Sequence, residues 1–215
     1  MNISQYLHES SRTAPKKKHG VTDLEFNKEN LVHAALGLAT EVLELRVAFD
    51  NEPTEGVPKD NAIEEIGDIL WYCALALRSI QSGLADGELE GRDWPTASPH
   101  TSDFLEDNLS HVTSCAESAI DTIKRHRFYG VGWEATCVRL CTYIGGLLVA
   151  LAGLMSLMDD REEAEEPTPV NLCTAATKNI AKLRVRFPGK FQEHRAIDRD
   201  VEAEMKAMKA VRGEE

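Results

Sequence analysis

At 215 residues with a formal net charge of −12, the chain has the length of one domain with extensions, and its acidity argues against a general nucleic-acid or anionic-membrane binder. An apolar content of 42% supplies a substantial core and excludes wholesale disorder. The cysteines, Cys73, Cys115, Cys137, Cys141 and Cys173, are odd in number and sit mostly in apolar stretches, so they read as reduced core residues of a cytoplasmic protein. Cys137 and Cys141 share a helix face, but no second pair accompanies them to make a zinc site.

Residues 1–25 read as an N-terminal extension. Their basic run, Lys16 to Lys18, is not followed by an apolar segment and so shows no signal-peptide pattern. Beyond it, glycine and proline cluster in a few places and helical periodicity fills the intervals. The first long helix is predicted from Asn27 to Asp50, with Leu31, Ala35, Leu38, Val42, Leu45 and Phe49 along one face. Asn51 to Pro58 reads as a turn. A second helix follows from Lys59 to Gln81, and its Ile69 to Leu77 segment is apolar all round, which implies deep burial. Ser82 to His100 reads as a surface connection.

A third helix is predicted from Ser102 to Arg127, stopping at Phe128-Tyr129-Gly130 with Gly130 as C-cap. A fourth runs from Trp133 to Met158. Its uncharged part, Leu140 to Met158, is just long enough for a membrane span, but its glycines and hydroxyl residues favour a buried bundle or interface helix. The charge run at 159–169 reads as a solvated acidic linker. Asn171 to Val185 and Ala196 to Val211 read as two shorter helices, separated by Phe187-Pro188-Gly189. The expected fold is therefore all-α, an antiparallel helical bundle over 26–158 joined through the linker to C-terminal helices over 170–215.

Two pairs of acids carry most of the functional information. Glu41 and Glu44 lie in Gly-Leu-Ala-Thr-Glu-Val-Leu-Glu-Leu, and Glu65 and Asp68 in Glu-Glu-Ile-Gly-Asp-Ile-Leu-Trp-Tyr. An i,i+3 spacing projects both members of a pair from one helix face. Each pair sits beside an apolar stripe, where a carboxylate is expensive unless paired or bound to metal. One such pair alone is an ordinary solvated feature of helices. Two pairs on consecutive helices can face one cleft, where their repulsion is relieved most simply by a divalent cation. All-oxygen donors suit Mg²⁺ or Mn²⁺. A di-iron bundle would want Glu-x-x-His motifs, which are missing.

Cations concentrate in two short segments. Asp121, Lys124 and Arg125 fall on neighbouring turns ahead of Arg127 and Tyr129, while Lys182, Arg184 and Arg186 alternate near a helix end. They are candidates for a triphosphate clamp, or equally ordinary surface cations and partners of helix C-termini. No Gly-rich phosphate loop and no Gly-x-Ser-x-Gly elbow is present. His33 and His111 read as packed or capping residues, and Trp71 as core.

The two acid motifs together resemble the Glu-x-x-Glu … Glu-x-x-Asp signature of MazG-like proteins, members of the all-α nucleoside triphosphate pyrophosphohydrolase superfamily. Asp121-x-x-Lys124 with Phe128-Tyr129-Gly130, and Asn179 to Pro188 with Arg199-Asp200, are similar to segments of the longer MazG-like proteins often found in bacteriophages. The resemblance implies Mg²⁺ held by Glu41, Glu44, Glu65 and Asp68, and hydrolysis of an NTP or dNTP to monophosphate and pyrophosphate. It further implies substrate contacts from Asp121, Lys124, Tyr129, Asn179, Lys182 and Arg186, with the C-terminal helices completing the site. A homodimer or homotetramer in the (host) cytoplasm is implied too, with the Leu140 to Met158 helix suited to the interface. Two rivals stand beside this reading. One is a non-catalytic module that binds nucleotide or metal. The other is a phosphoribosyl-ATP pyrophosphohydrolase of related fold, disfavoured by the length of the chain.

Overall fold

Local signals in the sequence set where the helices begin and end. The computed structural model describes residues 1–50, 59–80, 93–96, 103–158 and 170–211. Among these residues the fold is all-α, with eight helices and no strand. Helix α1 spans Ile3–Ser11, α2 Asp23–Asp50, α3 Lys59–Ile80 and α4 Leu105–Tyr129. Helix α5 spans Trp133–Leu157, α6 Leu172–Arg186, α7 Glu193–Ile197 and α8 Val201–Ala210. The turn expected at 51–58, the acidic linker and most of the 82–100 connection lie outside the described residues.

The long helices fall close to their expected limits, and the departures have local causes. Helix α2 starts four residues earlier than its apolar stripe suggests, because Thr22 and Glu25 form a capping box. The Thr22 N–H donates to Glu25 at 3.0 Å, and the Glu25 N–H donates to the Thr22 hydroxyl at 3.3 Å. Helix α4 ends at Gly130, which adopts the left-handed conformation at φ 73° as the C-cap. The last predicted helix is broken in two. The Asp200 side chain accepts from the Ala203 N–H at 3.0 Å and starts α8 afresh, leaving Arg199 in the joint.

Helix α2 packs on α3 and α4 on α5, with α2 also against α4 and α3 also against α5 and α6. The segment 1–25 is not peripheral. Helix α1 lies against α3 and α6, burying Ile3 and Tyr6, and Arg78 donates to the Leu7 carbonyl at 3.2 Å and the Ser10 hydroxyl at 2.7 Å. Helix α5 is the one helix among the described residues long and apolar enough to cross a membrane. Its second half, from Leu147 to Met155, is almost wholly buried in the chain's own core. Those side chains are thus not available for the subunit interface expected of them. The apolar residues left exposed include Leu36, Leu43 and Val47, one stripe of α2 at spacings of seven and four.

Two glycines let helices meet closely. A Cβ on Gly37 would fall 2.1 Å from the Tyr72 ring, and one on Gly67 would fall 2.9 Å from the Asn179 Cβ and 3.3 Å from the Ala175 carbonyl. The contact at Gly37 is to a side chain, whereas the Gly67 neighbours belong to the α6 backbone or lie next to it. Gly67→Ala is therefore expected to cost about 1–3 kcal/mol in urea melts, the usual penalty for overpacking. Gly145→Ala, in open space within α5, is expected to stabilise by about 0.5–1 kcal/mol through helix propensity. Equal effects at the two positions would contradict this packing account.

Candidate functional site

The acid motifs of α2 and α3 converge on one cleft of about 380 Å³, roofed by α6, the segment after it and α7. Glu41, Glu44 and Glu65 bring carboxylate oxygens within 4.8 Å of one another, and Glu64 and Asp68 line the same cleft. The Glu41 and Glu65 carboxyls share a hydrogen bond. Burial, then the charges of Asp68 and Glu44, push Glu41 up to about 7. Burial, then Asp68 and the other acids, push Glu65 up to about 8. At neutral pH the cluster therefore keeps a proton between these two groups, as expected of carboxylates crowded without a cation.

Asp68 is held from behind. Asn179 donates to one oxygen at 2.8 Å and Lys182 to the other at 2.5 Å. Lys182 also reaches Glu64 at 3.1 Å. Tyr6 on α1 completes the chain, its hydroxyl donating to the side-chain amide oxygen of Asn179 at 2.8 Å, with the Gly67 backbone carbonyl at 3.3 Å. Asn179 and Lys182 are 1% and 0% exposed. The substrate contacts expected of them are thus corrected: both side chains are engaged with Asp68 beneath the floor of the cleft. Lys182 supplies from within the protein part of the positive charge that the acids demand.

Arg186 does line the cleft. Its guanidinium makes a two-pronged bond to Glu204 of α8, at 2.9 and 2.7 Å, and Arg199 joins the same carboxylate at 2.9 Å. Burial alone would lower Arg186, but the Glu204 bonds outweigh it and hold the guanidinium above its usual value. Glu204 is held below its usual value by the two arginines, against the effect of its burial. One wall is aromatic. His33 lies edge-on to Trp71 and Tyr72, with centroids 5.9 and 5.6 Å away, and Phe187 and Phe191 face the cleft from the other side. Trp71 packs against the core, as expected, and also lines the cleft, its indole N–H bonded to Thr13 at 3.0 Å. Of the two helical histidines only His33 packs in this way; His111 is exposed.

Asp121, Lys124 and Tyr129 are not among the residues lining this cleft. Asp121 pairs with Lys124 and with Arg125, the latter at 2.5 Å, on the solvent side of α4, and Tyr129 is 71% exposed. The i,i+3 and i,i+4 spacings of Asp121 with Lys124 and Arg125 are satisfied within their own helix, apart from the cleft where the substrate contacts were expected. The reading of the sequence overlooked Tyr6, Thr13, Phe191 and Glu204. Glu204 carried a signal: it lies four residues from Met208, so the acid falls on the buried stripe of α8.

No protein-family model, curated protein or solved structure matches the chain. The geometry of the cleft therefore carries the functional argument.

Proposed function

We propose that this chain is a Mg²⁺-dependent nucleoside triphosphate pyrophosphohydrolase. The observation that carries the reading is the meeting of Glu41, Glu44 and Glu65, with Asp68, in a cleft that also presents arginines and an aromatic wall. The donor set is all oxygen, which fits Mg²⁺ or Mn²⁺. Glu41, Glu44, Glu65 and Asp68 would hold the cation, which when bound screens phosphate charge and lowers the pKa of water.

The remaining roles fall to the chain's own groups. Arg186 and Arg199 take oxygens of the polyphosphate and stabilise the charge that develops on it. The wall of His33, Trp71 and Tyr72 offers ring faces and edges to a base. Glu44, the most exposed member of the cluster, accepts the proton of the attacking water. A bond forms from that water to the α-phosphorus, the bond to the bridging oxygen breaks, and pyrophosphate leaves with the electron pair. As the net charge of −12 suggests, the substrate would be a small soluble nucleotide rather than nucleic acid or an anionic membrane. As part of this proposal, a homodimer or homotetramer would use the outward stripe of α2, Leu36, Leu43 and Val47, instead of α5.

The test is a pyrophosphate-release screen over normal and modified NTPs and dNTPs, with Mg²⁺ or Mn²⁺ and an EDTA control. Metal-dependent release of monophosphate and pyrophosphate, lost in Glu65→Ala, is expected. Tight nucleotide binding by calorimetry with no product in any reaction would point instead to a non-catalytic binding module.

A further inference from the structure

We infer that Glu204 is a positioning residue, fixing Arg186 and Arg199 as a rigid pair of phosphate-oxygen donors on the rim of the acid cleft. The inference rests on the pyrophosphohydrolase reading and adds the C-terminal arm, 193–210, to the polyphosphate-binding wall. Glu204 is 1% exposed, and a carboxylate so buried is costly to place on a terminal helix. As a stability device a buried ion pair is weak, because desolvation offsets most of the attraction. What the arrangement achieves is geometric. Arg186 is gripped through Nε and Nη2, a fork that leaves its plane no freedom to rotate, and its Nη1 has no partner among the described residues.

Arg199 shares the carboxylate from the joint between α7 and α8, and also forms an ion pair with Glu64 at 3.7 Å. One buried negative charge thus orders two positive ones, and the pair keeps a net positive charge facing the acids. Arginines tethered by Glu204 stay on the rim, where a polyphosphate bridging cation and rim meets both.

The test titrates inorganic tripolyphosphate calorimetrically into the full chain with Mg²⁺ present, and Mn²⁺ alone in a parallel series. Glu204→Gln, which keeps shape and removes charge, is expected to weaken tripolyphosphate about 10-fold or more, as misplacement of a binding group does. Its Mn²⁺ affinity is expected to stay within about twofold of the parent, since Glu204 touches none of the cluster acids. Added to Arg186→Ala plus Arg199→Ala, the same change is expected to have no further effect, because it acts only through those arginines.

Arg186→Lys gives an arm that leaves Glu204 intact. It keeps the charge but loses the fork, and its affinity is expected to fall to that of Arg186→Ala. Wild-type tripolyphosphate affinity in Glu204→Gln or in Arg186→Lys overturns the inference and leaves the hydrolase reading standing. So does a parallel fall of tripolyphosphate and Mn²⁺ affinity, which marks a merely structural role. A parent chain that neither binds tripolyphosphate nor turns over any nucleotide overturns both.

Discussion

Glu65→Gln is expected to abolish turnover while raising the melting temperature of the metal-free protein. Glu65 shares a hydrogen bond with Glu41 and faces the charges of Asp68, Glu44 and Glu64 in a half-buried cleft. An amide keeps the shape and the hydrogen bond and needs neither the charge nor the proton that crowding forces on Glu65. Relief of this kind at a strained functional site stabilises by about 1 kcal/mol, which in a chain of this size raises Tm by about 2–4 °C. On the proposed pyrophosphohydrolase reading the same change would remove a cation ligand and with it the alignment of water and phosphate, so turnover is expected to fall by about 10²–10³-fold or more. Solvated helix acids of no function would show neither effect. Differential scanning calorimetry in EDTA, beside the pyrophosphate assay, reads both. A variant that is inactive and also less stable would contradict the crowding account.

The cluster also fixes the sign of the pH dependence. Glu41 and Glu65 sit at about 7 and about 8 in the folded chain, against 4.5 for a free carboxyl. The folded state therefore holds protons that the unfolded chain has already released. The stabilisation they contribute is complete below about pH 4.5 and is lost as the pH rises through 7 and 8. In EDTA the melting temperature is expected to decline across that window. Saturating Mg²⁺ should flatten the decline, because the cation replaces the protons, and the gain in Tm from Mg²⁺ should grow from pH 6 to pH 8. A metal-free Tm that rises over the same interval would contradict these assignments.

The acid cluster was legible because a carboxylate is out of place beside Leu38 or Ile66, so its spacing alone announces a shared cleft. The helix limits were legible where a glycine marks them, as at Gly130, whereas the caps at Thr22 and Asp200 moved two helix starts away from the limits that the apolar stripes suggest. The partners of the acids were not. Whether Lys182 faces solvent or the back of Asp68 depends on how α6 crosses α3, and that crossing is set by Gly67 and the Ala175 backbone, which look unremarkable in a linear reading. Tyr6 was hidden because a nine-residue helix in an apparent extension gives little reason to expect a core residue. Asp121, Lys124 and Arg125 misled in the opposite direction: cations close to a phosphate-like motif are equally cations within reach of an acid one turn away.

Lys182 separates the two ideas of the site most cleanly. As a phosphate ligand it would tolerate replacement with little change in stability and a raised KM. The structure instead puts its ammonium at 0% exposure between Asp68, at 2.5 Å, and Glu64, at 3.1 Å. Lys182→Met matches the length and apolar stem but leaves both acids without their buried counter-charge. Removing one partner of a fully buried ion pair costs about 3–5 kcal/mol. Here Asp68 and Glu64 border the cleft and can take up a proton or water, so about 2–3 kcal/mol is expected, a fall in Tm of roughly 5–10 °C. The deficit should shrink when Mg²⁺ is added, because a cation in the cleft replaces the charge that the ammonium supplied. It should shrink also as the pH is lowered, because the abandoned acids then bind protons. A variant with unchanged Tm and a selectively raised KM would return Lys182 to the substrate and displace it from beneath Asp68. A Tm deficit indifferent to both Mg²⁺ and pH would mean that the loss is one of packing, with no electrostatic link between Lys182 and the acids of the cleft.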